Sequence, residues 1–128
     1  MKLSTTEEQV MEMIWEYGPI FLKEIMDLYP EPKPSPSTVM TLLKRMQDKG
    51  FVGYKLFGNS RQYHALVEKD KYFSKHLNNL VEGFFGNSRL QFASFFTQSS
   101  GLTDSELKDL KELIDQEIKK REDGDLHS

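Results

Sequence analysis

Between Ser37 and Arg61 the chain sets out short hydroxyl groups, cations and one amide. Ser37, Thr38 and Thr41 come first, then Lys44 and Arg45, then Lys55, Asn59 and Arg61. Hydroxyls donate and accept hydrogen bonds at close range, threonine adds a methyl group, and Lys and Arg reach outward to anionic oxygens. That combination suits the edge of a base with phosphates on either side. Covalent chemistry has no such support. There is no cysteine, which excludes disulfides, thiolate metal sites and cysteine nucleophiles together. His64, His76 and His127 are far apart and show no ligand spacing. No nucleophile–base pair, metal cluster or glycine-rich phosphate loop is visible, so no catalytic residue, metal or cofactor is expected.

The net charge of −3 conceals a strong division along the chain. Residues 1–32 carry Lys2 and Lys23 against seven acids, and residues 64–128 carry nine cations against twelve acids. Residues 33–63 carry six cations, Lys33, Lys44, Arg45, Lys49, Lys55 and Arg61, against Asp48 alone. A basic middle third is the electrostatic footprint of a polyanion-binding surface. A solvated charged face would give the same count, so charge alone leaves both readings open.

The elements that must position these residues are legible from their start and stop signals. Thr5 is the expected cap of a first helix, with Glu8 closing a capping box. Val10, Met11 and Ile14 follow at helical spacing, Trp15 sits at the edge of that face as a packing residue, and Gly18-Pro19 stops the run. A second helix is expected over 21–29, with Leu22, Ile25 and Met26 inward. Pro30, Pro32 and Pro34 then force an extended connection. Ser35 caps a third helix and Pro36 fits its first position, where a missing N–H costs nothing. Val39, Leu42, Leu43 and Met46 form its buried stripe, and Gly50 is the expected left-handed stop. The stretches 51–56 and 61–66 alternate as strands around Gly58-Asn59-Ser60, a β-hairpin. Asn59 at its tip serves either turn geometry or a minor-groove contact.

Three helices followed by a hairpin is the winged-helix order. The expected fold class is mainly α with a small antiparallel β wing. A winged helix-turn-helix domain spans 1–70, a C-terminal helical dimerisation domain 71–121, and a polar, fraying tail 122–128. In the C-terminal domain Phe73, Leu77, Leu80, Val81 and Phe84 form one apolar stripe; Leu107, Leu110, Ile114 and Ile118 form another. The second follows a T-x-x-E box at Thr103 and Glu106. Short helices with such stripes bury them against a second copy of the chain or against the winged head; two-fold pairing is the usual solution. No apolar run approaches the roughly 18 residues of a membrane span, so no membrane insertion is expected. The N-terminus has no basic-then-apolar leader, which makes the cytoplasm the expected location.

Two strings carry a resemblance. Leu3 to Trp15 contains E-x-x-V-M-x-x-I-W, and Ser37 to Gly50 reads S-T-V-x-T-L-L-x-R-x-x-x-K-G. Together with the order of elements and the L-T-x-x-E-L-x-x-L start of the last helix, they resemble the BlaI/MecI/CopY family of repressors. The resemblance implies a homodimer joined through its C-terminal helices, with two winged heads on an inverted repeat of double-stranded operator DNA. It also implies repression of antibiotic-resistance or metal-homeostasis genes. In the β-lactam branch a membrane sensor-protease system triggers cleavage at an Asn-Phe bond in the fifth helix. This chain has no Asn-Phe there; Gln91-Phe92 is the nearest match and Ser94-Phe95 the next. The copper-responsive branch senses metal through C-terminal cysteines, which are absent. The competing reading is a winged-helix module that binds protein without sequence-specific DNA recognition.

Overall fold

The computed structural model describes residues 2–127, with side chains through Asp125. Helix α1 spans Thr5–Tyr17 and is capped by Ser4 rather than Thr5. The Ser4 hydroxyl accepts from the Glu7 N–H at 3.2 Å, and Glu7 Oε1 accepts from the Ser4 N–H at 2.8 Å. The box closes one residue earlier than expected because Glu7, not Glu8, lies on the inward face with Val10, Met11 and Ile14.

Strand β1, Ile20–Phe21, is unexpected: two residues are too few for an alternating pattern to show. It takes Phe21 out of the second helix, so α2 runs Leu22–Leu28. Ile25 is buried, with Leu22 and Met26 packed against the core. Helix α3, Pro36–Asp48, begins as its sequence dictates: Ser35 caps it through Thr38 N–H, and Pro36 is at its start. Gly50 follows with φ of 83°, a conformation that a side chain would strain.

Strands β2, Val52–Phe57, and β3, Ser60–Ala65, form the wing and pair antiparallel from Val52 opposite Ala65 to Phe57 opposite Ser60. The loop is Gly58-Asn59, and Gly58 has φ of 62°, as the first position of a type II′ turn requires. β3 also pairs with β1, Ile20 opposite Tyr63, so the sheet order is β1-β3-β2. Leu3, Val10, Met11, Ile25, Val39, Leu43, Met46 and Val52 are buried together. Each such side chain contributes about 1.5–3 kcal/mol when fully buried. This shared core fixes α3 against α1 and the wing.

Helix α4, Lys69–Phe85, starts against the same core. Tyr72 is buried there, edge-on to Phe51 at 5.5 Å and tilted against Trp15 at 5.7 Å. Trp15 donates from Nε1 to the Val67 carbonyl at 2.8 Å, which satisfies its polar end. Helices α5, Arg89–Ser99, and α6, Asp104–His127, complete the chain. A Thr103–Glu106 box opens α6, both bonds at 3.1 Å. Two compact units divide between His76 and Leu77, inside α4. The stretch from Glu122 expected to fray is helical through His127, continuing a helix built of charged, helix-favouring residues that include a Glu117–Arg121 pair at 3.1 Å. Ser128 lies outside the described residues.

Candidate nucleic-acid interface

Residues Ser37, Thr38, Thr41, Lys44 and Arg45 all fall on one exposed face of α3, opposite the buried Val39, Leu42, Leu43 and Met46. The helix start is tightly bonded. Ser35 Oγ lies 3.1 Å from Ser37 Oγ and 2.9 Å from Thr38 Oγ1. One turn on, the Thr41 hydroxyl donates to the Ser37 carbonyl at 3.0 Å. Lys44 meets Asp48 at 3.2 Å with both side chains well exposed, a pairing too weak to withhold the cation from phosphate. Among the described residues no carboxylate pairs with Arg45, Lys55 or Arg61.

The wing places its two cations differently. Lys55 stands opposite Gln62 and Arg61 opposite Leu56, so strand alternation sends them to opposite faces of the ribbon. The Arg61 guanidinium lies over the Tyr54 ring at 4.5 Å, an attractive contact that steadies it. Phe57 packs edge-on against Phe21 at 5.8 Å and ties the tip of the wing to β1. Asn59 is an exposed loop residue beside Gly58. Between wing and α3 runs an open groove of about 340 Å³ whose lining includes Lys23, Met40, Asn59 and Arg61. Sequence reasoning passed over Lys23 and Met40, since groove membership depends on how the wing folds back.

The larger omission is Glu7, 1% exposed in the head. Its Oε1 accepts from Lys49 Nζ at 2.7 Å, so a cation counted with the basic third is already paired. Burial works to raise the Glu7 pKa, but the hydrogen bonds from Lys49 and Ser4, with the Lys49 charge, outweigh it and hold the carboxyl below the usual range. The signal lay in plain view: Glu7, Val10, Met11 and Ile14 occupy i, i+3, i+4 and i+7.

The C-terminal candidates mostly face outward. Along α4, Phe73, Leu77 and Leu80 are exposed, and Phe84 reaches 81%, while Val81 is buried. Leu107 and Leu110 of α6 are half-buried; Ile114 and Ile118 are exposed, as is Leu113, which the stripe pattern omitted. In α5, Gln91, Ser94 and Phe95 are exposed, whereas Phe92 is half-buried and packs edge-on to Phe85 at 5.7 Å. Among the described residues no group of three or more acidic or histidine side chains could hold a metal ion, and no helix is long and apolar enough to cross a membrane.

A three-helix head with a hairpin wing, a polar outer face on its third helix and cations along the wing defines a winged helix-turn-helix DNA-binding regulator, not an enzyme. The chain belongs to the penicillinase repressor family, whose pattern matches residues 3–116. It is similar to the methicillin resistance regulatory protein MecI of Staphylococcus aureus strain N315, at 25% identity over 114 residues, 88% of this chain and 93% of that protein. It is also similar to the penicillinase repressor of Bacillus licheniformis, at 22% identity over 116 residues, 90% of this chain and 91% of that protein. The resemblance read from the two sequence strings therefore holds.

Proposed function

We propose that this chain is a dimeric, sequence-specific transcriptional repressor that binds an inverted-repeat operator in double-stranded DNA. The observation that carries the reading is the single exposed face of α3 bearing Ser37, Thr38 and Thr41 ahead of Lys44 and Arg45. In this reading the N-terminal hydroxyls meet base edges in the major groove, and Lys44 and Arg45 grip flanking phosphates. Lys55 and Arg61, on opposite faces of the wing, meet the two walls of the adjacent groove. Asn59 holds the turn between them.

One head offers few contacts. Pairing through the exposed stripes of α4 and α6 would place two heads on one duplex and give the repressor its affinity. The names of the relatives favour control of antibiotic-resistance genes, and binding an operator would place the protein in the cytoplasm. Release then follows from loss of pairing. Gln91-Phe92 and Ser94-Phe95 are the candidate bonds for a membrane sensor-protease system; both lie within α5, which must open locally before a protease can enter.

The test is selection of a duplex from a random-sequence pool, followed by a salt titration. Four cations per head, Lys44, Arg45, Lys55 and Arg61, predict a slope of log K against log salt of about −7 for the dimer. Thr41→Ala relaxes sequence preference, whereas Lys55→Ala weakens all duplexes alike. No selected site and no salt dependence would favour the protein-binding module instead. Co-expression with a cognate sensor and mass analysis of fragments tests cleavage; a chain left intact under induction removes proteolysis from the reading.

A further inference from the structure

Lys49 terminates the reading helix, yet its ammonium is turned to the protein interior. It donates to Glu7 Oε1 at 2.7 Å and to the Lys2 carbonyl at 3.2 Å, and its side chain keeps 28% exposure against 2% for that of Glu7. The same Oε1 accepts the Ser4 N–H at 2.8 Å. One carboxylate oxygen thus joins the start of α1 to the end of α3. The other, Oε2, is buried without a partner.

Stability is a weak reason for this arrangement. A buried ion pair is often no more stabilising than apolar residues of the same volume, and an unpartnered carboxylate oxygen makes it worse. Val10 and Met46, buried in the core, stand three residues along the same helices from Glu7 and Lys49. What a charged, hydrogen-bonded pair supplies is direction, since a greasy stripe permits a helix to slide or roll where a short N–H···O bond does not.

The geometry points to Glu7 and Lys49 as positioning residues for DNA recognition, which set the attitude of α3 and touch no DNA themselves. The inference rests on α3 being the reading helix. Thr38 lies about 16 Å along the axis from Lys49, so a tilt of only about 4° at the Lys49 end moves it by about 1 Å. A base-edge hydrogen bond does not survive that displacement. Lys49 therefore acts on sequence reading from the far end of the helix, and does not belong with the phosphate-binding cations.

The test uses the full-length chain with Glu7→Gln, Lys49→Met and the pair Glu7→Leu with Lys49→Met, each assayed well below its own melting transition. The probes are the duplex selected from a random pool and a scrambled duplex of the same length. Lys49→Met is expected to weaken the selected duplex at least tenfold, leave the scrambled duplex unchanged, and leave the salt slope unchanged. Glu7→Gln, which keeps an acceptor oxygen for Lys49 and Ser4 but loses the charge, falls between it and the wild type. The double variant regains melting temperature but not discrimination. A salt slope reduced by about 1 with both duplexes weakened alike would make Lys49 a phosphate contact and overturn the proposal. Lower melting temperature with discrimination intact in every variant, or discrimination restored by the double variant, overturns it too. A wild-type chain that does not distinguish the two duplexes overturns the DNA-reading function itself, and this proposal with it.

Discussion

The two units of this chain use the same kinds of apolar residue in opposite ways. In the head, Val10, Met11, Val39 and Met46 are completely buried by neighbours from α1, α3 and the wing. In the second unit Val81 is the one buried hydrophobic side chain among the described residues, while Phe84 and Leu90 are 81% and 82% exposed. The aromatic contacts there are local, Phe85 with Phe92 and Phe95, and Phe92 with Phe96. A head with its own core needs nothing else to be a folded surface. A unit that leaves its stripes open would need its burial supplied from outside, which is where the proposed pairing belongs.

Substitutions separate the two cases. Leu43→Ala removes packing from the closed core and should cost about 2–5 kcal/mol by denaturant titration. The loss should not depend on protein concentration. Leu80→Asp with Ile118→Asp should leave the melting of the head unchanged but abolish pairing in sedimentation. Affinity for an inverted repeat should then fall by about 100-fold or more, with half-site binding retained. If the double substitution unfolds the head, or leaves a dimer, the contrast between the units fails.

Smaller effects sharpen the comparison. Ser35→Ala removes the cap of α3 and should destabilise the head by about 1 kcal/mol, with no change in self-association. Glu7 gives the head a pH signature of its own. Its folded pKa is lowered, so its contribution to stability is complete above the ordinary value of 4.5 and is lost as pH falls through the folded value. Glu7→Gln should flatten the acid limb of head stability, read by chemical denaturation at a series of pH values.

Much of the head was legible because its signals are local. Ser35, Pro36 and Gly50 bracket α3, and alternation around Gly58-Asn59 marks the wing. What escaped depends on pairing across the chain. Two residues of β1 show no period; their strand exists because Gln62 and Tyr63 are beside them. Lys55 and Arg61 look alike in the sequence, and only the register of the ribbon parts them. Glu7 lay on an apolar period but carried the wrong chemistry for it, and its partner is 42 residues away. At the C-terminus the stripes were visible, but a stripe does not say what will cover it.

The bond from the Thr41 hydroxyl to the Ser37 carbonyl has a consequence for operator sequence. While it holds, that hydroxyl's only proton is committed within the helix, leaving two lone pairs and a methyl group to face the groove. Such a group is blind to the acceptor edge of guanine. It favours an amino donor, on adenine or cytosine, or the methyl of thymine. Under the proposed docking of α3, sites selected by this chain should therefore be depleted of guanine at the base Thr41 meets, on whichever strand it approaches.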